Sequence, residues 1–361
     1  MVLAQLGAAA GLFAMARLDP AADVQSFAWV ALAVAFSSAT QDITIDAWRI
    51  EAVAERRQGA MAAAYNFGYR TAVLVGGAGA LYLAEFYDWS IAYKVMALCM
   101  GVGLITALLI GEPRRRLDED TVAVEAAVVG ALAGGDRSFF GRLRAWFAAA
   151  VIAPFVEFFQ RNGRFALVLL ALILTFNISD RVLVIMANPF YLDLGFTKAE
   201  IASVAKVFGF AMTIAGAALG GVLVARYGSL RTMLLAAVML ALTNLMFAGL
   251  AVAGPRLDLL VFTISGDNLS AGLAGVAFIA YLSGLTNQAY TATQYALFSS
   301  LMSVVGKFIS GWSGVVDEAW GYPTFFIYAA CTGIPAILLV LLVMRHAAVA
   351  PADPLPASEE G

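Results

Sequence analysis

The sequence predicts an all-α polytopic membrane protein with about ten transmembrane helices, four before and six after one long hydrophilic connection. Three observations carry this. Hydrophobic residues make up 62% of the chain and charged residues 13%, whereas a soluble domain carries about 25% charged residues, and the mean hydropathy is +0.84. Apolar runs recur at the length needed to cross a hydrocarbon core of about 30 Å at 1.5 Å per residue, roughly 20 residues. Basic residues also sort onto alternate connections, as short cytoplasmic loops do.

Taken in order, the spans centre on residues 2 to 17, 26 to 48, 59 to 83, 89 to 111, 164 to 189, 198 to 225, 230 to 253, 268 to 287, 292 to 315 and 322 to 344. The first is short, but Arg17 follows its apolar stretch instead of preceding it, which is not the charge order of a signal peptide. A cytoplasmic start places WRIEAVAERRQ (48–58), EPRRR (112–116), QRNGR (160–164), ARYGSLR (225–231) and MRH (344–346) on the inner side. LDPAAD (18–23), AEFYDW (84–89), DLGFTKAE (193–200) and VVDEAW (315–320) then face outward.

The hydrophilic connection sets the domain boundaries. Residues 1–111 form a partial amino-terminal bundle of four spans, 112–163 a cytoplasmic linker, 164–345 a six-helix bundle and 346–361 a disordered cytoplasmic tail. Within the linker, RRRLDED and the small residues around Gly134, Gly135 and Asp136 precede GRLRAWFAAAVIAPFVEFFQRNGR, whose apolar middle lies between arginines and is broken by Pro154. That pattern suits an amphipathic helix lying on the inner membrane surface.

Several function classes fall away. The two cysteines, Cys99 and Cys331, sit in separate apolar runs, and His346 is the sole histidine, beside Arg345 at the end of the last span. A two-histidine metal site and a histidine-based catalytic triad are therefore unavailable. No enzyme activity, metal or cofactor is expected. The net charge of −3 gives no reason to expect nucleic acid as a partner. A monomer in the lipid bilayer is the expectation.

Helices split by a long cytoplasmic linker are the plan of the major facilitator transporters, whose two halves rock about a central site. GVLVARYGSLR, at 221–231, resembles their G-x-L-a-D-R-x-G-R-R loop: Gly221, Arg226, Gly228 and Arg231 carry the likeness, and Ala225 stands where Asp is usual. A narrower resemblance rests on SATQDITIDAW, at 38–48, followed by GYR at 68–70. It extends to DNLSAGLAGVAFIAYLSGLTNQAYTATQYALFSSLMSVVGKFISGW, at 267–312. The two segments, in this order, resemble the AmpG muropeptide permease family, in which S-A-[ST]-Q-D-x-x-x-D-A-[WY] and S-A-T-Q-[FY]-A-L-x-S recur. Aligned in this way, residue 1 falls at the family's third helix, so the first two are expected to be missing, through a late start or a truncated chain.

Charges inside spans cost about 2.5–3.5 kcal/mol at the bilayer centre and usually face a cavity or a partner. Asp42, Asp46 and Arg49 lie at i, i+4 and i+7, on one helical face. Asp42 is the candidate proton carboxylate, and Asp46 with Arg49 the candidate cytoplasmic gate; the competing reading is a structural Asp46–Arg49 salt bridge. Asp180 and Lys206 reach comparable depth from opposite sides and could form an ion pair suited to proton coupling, or a purely structural one. Tyr69 and Arg70 fall near a midplane, where arginine can fork onto a substrate carboxylate or pair with Asp42 or Asp46. Thr293, Gln294 and Tyr295 offer neutral groups and a ring for sugar recognition, although small polar residues also pack helices closely. Asn268, beside Asp267, is expected to open the eighth span near the outer surface. The resemblance adds Gln41 and Asn268 to the substrate-binding set.

The resemblance implies proton-coupled import of anhydro-muropeptides, GlcNAc-anhydroMurNAc peptides, across the bacterial inner membrane for peptidoglycan recycling, with muropeptide and protons as partners. The alternatives are a facilitator-type permease for another bulky anion such as acyl-CoA, and a nonfunctional truncated chain.

Overall fold

The computed structural model describes residues 1–20, 23–54, 57–111, 123, 126–131, 138–287 and 290–349. EPRRR at 112–116, Gly134, Gly135, Asp136 and most of the 346–361 tail lie outside the described residues. Among the described residues the fold is helical without strands, and seven helical stretches are long and apolar enough to cross a membrane, with the shorter apolar Val2–Met15 beside them. The chain divides into two compact units: Met1–Arg161 with Ile279–Ser299, and Asn162–Phe278 with Ser300–Gly361.

In the first unit, α1 (Val2–Met15) packs against α2 (Val24–Glu51) and against α5 (Trp89–Leu109). Between these lie α3 (Gln58–Leu74) and α4 (Ala80–Phe86), joined by a π-helical turn at Val75–Gly79. The expected third span is thus one stretch with a widened turn, set where three glycines leave the backbone without side-chain support. Ser90 Oγ donates to the Ala16 carbonyl at 2.6 Å and Trp48 Nε1 to that of Gly111 at 3.0 Å, tying helix ends together.

The linker contributes α6 (Phe139–Phe147), a π turn at Ala148–Ile152 and α7 (Ala153–Asn162). Ser138 caps it by accepting from the Gly141 amide at 3.0 Å. Pro154 does not break this helix as the sequence suggested. It occupies the first turn of α7, where its missing N–H and fixed φ cost little, and the wide turn before it absorbs the register change.

In the second unit, α8 (Ala166–Thr175) and α9 (Ile178–Leu194) make up the expected fifth span, interrupted at Phe176 and Asn177. A π segment at Ile201–Phe208 leads into α10 (Gly209–Tyr227), followed by α11 (Ser229–Ala253), α12 (Leu257–Leu285), α13 (Thr291–Ser310), α14 (Ser313–Thr332) and α15 (Ile334–Val349). The first nine residues of α13, Thr291–Ser299, and α12 from Ile279 belong to the first unit. An aromatic cluster closes the second unit's core: Phe190 stacks edge-on to Phe326 at 4.7 Å, and Phe247 lies 5.2 Å from the same ring. Such pairs add about 0.5–1.5 kcal/mol beyond the burial of their area.

Helices α10 and α12 cross at backbone contact. A Cβ on Gly216 would run into the Leu269 carbonyl oxygen, and one on Gly272 into that of Thr213. Glycine is required at both positions by this close approach.

The eighth span starts earlier than the sequence suggested. α12 begins at Leu257, so Asp267 and Asn268 sit ten and eleven residues inside a helix and not at its mouth. There Asn268 accepts from Thr213 on a neighbouring helix at 2.9 Å and Asp267 from Thr243 at 3.4 Å, partners that offset part of the cost of burying polar groups.

Candidate functional site

Three polar clusters stand out, two in the first unit and one in the second. The first is built at the far end of α2. Asp23 starts that helix by accepting from the Ser26 amide at 3.0 Å, and these bonds hold its carboxyl below the usual carboxylate range. The other end is closed by buried Gln58, whose Nε2 donates to the Ile50 carbonyl at 2.8 Å and to that of Val53 at 3.2 Å. This closure fixes the turn that carries Arg49.

Arg49 is 2% exposed, an extreme value for a cation. Its Nη2 meets Asp46 Oδ1 at 3.3 Å and its Nη1 donates to Ser283 Oγ at 3.1 Å. The guanidinium lies over the rings of Tyr65, at 5.0 Å, and Tyr295, at 5.2 Å. Its Nε is buried with no hydrogen-bond partner. A buried cation held by one carboxylate, one hydroxyl and two aromatic faces is stable only while Asp46 stays ionised and these groups stay together. The arrangement can therefore respond to protonation of one carboxylate.

A second cluster in the same unit ties the linker to the start of α13. Glu157, buried, accepts from Gln294 Nε2 at 2.6 Å, from Asn287 Nδ2 at 2.9 Å and from Arg161 Nε at 3.1 Å. Gln294 Nε2 also donates to the Pro154 carbonyl at 3.0 Å, and its Oε1 accepts from the Asn287 amide at 2.8 Å. Arg161 Nη2 reaches the Leu285 carbonyl at 2.8 Å. The side-chain amide of Gln294 is thus engaged at both its oxygen and its nitrogen.

The remaining residues of this half spread out. Asp42 is exposed and Gln41 half-buried, so the face shared by Asp42, Asp46 and Arg49 runs from open surface to core. Tyr69 is exposed, and Arg70 is half-buried with its Nε enclosed and lacking a hydrogen-bond partner. Thr293 is half-buried and Tyr295 buried.

In the second unit, Asn268 accepts from Thr213 Oγ1 at 2.9 Å and donates to the Ile264 carbonyl at 3.1 Å. Thr243 Oγ1 donates to Asp267 Oδ1 at 3.4 Å, and the Asp180 carboxylate lies within electrostatic reach of Asp267. Immediately before Asp180 in sequence, Ser179 Oγ accepts from Asn244 Nδ2 at 2.7 Å and donates to the Ala329 carbonyl at 2.8 Å. Lys206 is exposed on the π segment, and its Nζ donates to Asn188 Oδ1 at 3.0 Å. π turns often mark functional positions.

The loop between α10 and α11 turns on Gly228, whose φ of 84° suits glycine. Its carbonyl accepts from Thr232 Oγ1 at 2.8 Å. Gly221 is buried about two turns earlier; Arg226 lies over the neighbouring Tyr227 ring at 5.5 Å, and Arg231 is exposed. His346 stacks on Phe165 with ring centroids 3.8 Å apart.

Sequence reasoning missed Tyr65, Ser283, Glu157, Asn287, Thr213, Asn244 and Asn188. The charge of Glu157, in a helix otherwise lacking acidic residues from 138 to 156, was the clearest available signal.

The sequence model of the Major Facilitator Superfamily matches residues 1–311. AmpG 4 of Rickettsia felis is 30% identical over 336 residues, covering 92% of this chain and 76% of its own. AmpG 1 of Rickettsia prowazekii is 28% identical over 347 residues, covering 92% and 78%. The anhydromuropeptide permease of Escherichia coli K12 is 30% identical over 331 residues, covering 91% of this chain and 62% of its own. The helical, multi-pass architecture, the superfamily match and these relatives point to a transporter and away from an enzyme. The chain belongs to the Major Facilitator Superfamily, among its AmpG-like transporters.

Proposed function

We propose that the protein imports anhydro-muropeptides across the bacterial inner membrane in symport with protons. The substrate class rests on likeness to the Escherichia coli permease. The observation that carries the mechanism is the burial of Arg49 against Asp46, Ser283, Tyr65 and Tyr295.

In this reading Asp42, at the exposed end of the shared face, takes the proton first, and Asp46 is the carboxylate whose charge holds Arg49 in place. Neutralising Asp46 leaves the guanidinium without its counter-charge, so the contacts of Arg49 to Ser283 and Tyr295 weaken and the inner end of the pathway loosens. Arg70, half-buried with an unpartnered Nε, is suited to fork onto a substrate carboxylate. Asp180 and Lys206 are the coupling candidates of the second half, with Lys206 exchanging Asn188 for an anionic partner during the cycle.

The test is uptake of radiolabelled anhydro-muropeptide by bacterial cells lacking their own importer and expressing the complete reading frame that encodes this chain. Uptake that collapses with the proton gradient, and that is lost in Asp42→Asn and Asp46→Asn with protein retained in the membrane, supports the proposal. Gradient-independent uptake overturns the proton coupling. Absence of uptake with normal membrane insertion overturns the substrate assignment and directs the search to other bulky anions.

A further inference from the structure

The linker helix carries a surface that transport chemistry does not use. From Phe139 to Phe147, rings and aliphatic groups recur at three- and four-residue spacing along one stripe, and Phe139, Phe140, Leu143, Trp146 and Phe147 are all at least half exposed. Gly141 and Ala148, both buried, occupy the reverse of the helix, so the small residues face the protein and the large apolar ones face away.

At 100° per residue Arg142 and Arg144 fall on opposite flanks of that stripe. Both are exposed. No acidic residue occurs from 138 to 156 to neutralise them. Beside the stripe opens a cavity of about 600 Å³ lined by Leu143, Arg144, Phe147 and Ile152. Its lining is largely apolar with one cation, Arg144, among it, which suits an amphiphile with an anionic head. The volume falls within the range of about 300–1,000 Å³ usual for small-molecule sites.

We infer that this helix binds anionic phospholipid, with the head group held by Arg142 and Arg144 and an acyl chain laid along Leu143, Phe147 and Ile152. The chemistry favours lipid over a protein partner on two grounds. The helix is continuous in sequence, through the short Gly163–Phe165 turn, with the apolar α8, and together they form one stretch long and apolar enough to cross a membrane. An apolar stripe edged by cations on both sides is also the pattern of a helix lying in the head-group layer. The inference is independent of which substrate the transporter carries.

The protein with Cys99→Ser and Cys331→Ser, and with Phe147→Cys carrying an environment-sensitive nitrobenzoxadiazole label, tests this in nanodiscs. Discs of phosphatidylcholine alone are compared with discs containing an equal amount of phosphatidylglycerol. The expected result is a blue-shifted label protected from acrylamide quenching, more strongly with phosphatidylglycerol, and a loss of that difference in Arg142→Gln/Arg144→Gln. The label at Leu143→Cys provides a second probe should Phe147→Cys disturb packing. Native mass spectrometry of the unlabelled protein should retain phosphatidylglycerol over phosphatidylcholine, with the preference falling about twenty-five-fold in the double arginine variant, as each charge near an anionic surface contributes roughly fivefold. Equal quenching in both discs overturns the proposal. A phosphatidylglycerol preference that survives in the double variant overturns the assignment to these arginines. Full protection already in detergent identifies a protein contact covering the stripe and overturns it as well.

Discussion

Glu157 and Gln294 are joined by a 2.6 Å hydrogen bond between a carboxylate oxygen and a side-chain amide, both buried, across 137 positions of sequence. The bond links the linker helix to the start of α13. The next residue, Tyr295, is one of the rings against Arg49. The grip on Gln294 therefore sets the position of a group that touches the buried cation.

Glu157→Ala is expected to strip the acceptor from Gln294 and Asn287 and to destabilise the protein by about 2–4 kcal/mol, the range for losing charge-assisted bonds and leaving buried donors unmet. Thermal unfolding of the purified protein in one detergent measures the loss. Limited proteolysis should find the 139–162 segment cut faster in the variant, whereas an unchanged melting temperature would assign no structural weight to the clamp.

Arg49→Ala removes the charge that balances Asp46 within the core, and loss of one partner of a buried pair costs about 3–5 kcal/mol. Arg49→Lys retains the charge but cannot fork between Asp46 and Ser283 or lie flat over Tyr65 and Tyr295. Its unfolding temperature should therefore fall between those of the wild type and Arg49→Ala. Equal stability of wild type and Arg49→Lys would mean that charge alone matters at this position.

The turn before the π segment carries a pH-dependent cap. Thr197 donates its amide and its hydroxyl to Glu200 Oε2, each at 2.8 Å, while the Glu200 amide donates to Thr197 Oγ1 at 3.2 Å, a reciprocal capping box. These bonds pull the Glu200 carboxyl below its ordinary value of 4.5. A folded pKa below the unfolded one means that the cap contributes fully above the unfolded value and fades as the pH falls through the lowered folded value. The melting-temperature difference between wild type and Glu200→Gln should be constant from neutrality down to about pH 5 and shrink below that. A difference that stays flat into stronger acid would remove the carboxylate from this role.

Gly216→Val should separate α10 from α12, since its side chain would meet the main chain of Leu269. Overpacking of a filled contact costs about 1–3 kcal/mol, and more where a rigid backbone is the obstacle. Gly76, with open space around its Cα, gives the control: Gly76→Ala meets no neighbour within 4 Å and should leave the melting temperature almost unchanged.

Much of the fold was legible because hydropathy and span length are set by the bilayer, a constraint each segment satisfies locally. The Asp46–Arg49 pair could be read for the same reason, as i, i+3 neighbours meet on any helix. Ser283 and Tyr65 could not, because the contact with Arg49 depends on tertiary packing and neither residue type is unusual in an apolar helix. The π turns at 75–79 and 148–152 are invisible to a 3.6-residue period. Pro154 misled for a related reason: a proline reads as a break unless the widened turn before it is known. Asp267 and Asn268 looked like a helix entrance because a hydropathy window prices polar groups as if in lipid, and it cannot see Thr243 and Thr213 waiting across the helix interface. The T-K-A-E spacing at 197–200 is a capping signature that sequence alone could have supplied.

The crossing of α10 and α12 also limits which genetic changes can repair damage. A bulky residue in an ordinary core can be rescued by trimming the side chain it strikes. At Gly216 and Gly272 the obstacles are the carbonyls of Leu269 and Thr213, and a carbonyl is present whichever residue occupies those positions. No second-site substitution at 269 or 213 can make room. Suppressors of a Gly216 or Gly272 lesion should therefore be absent from the facing positions and arise as reversion to glycine.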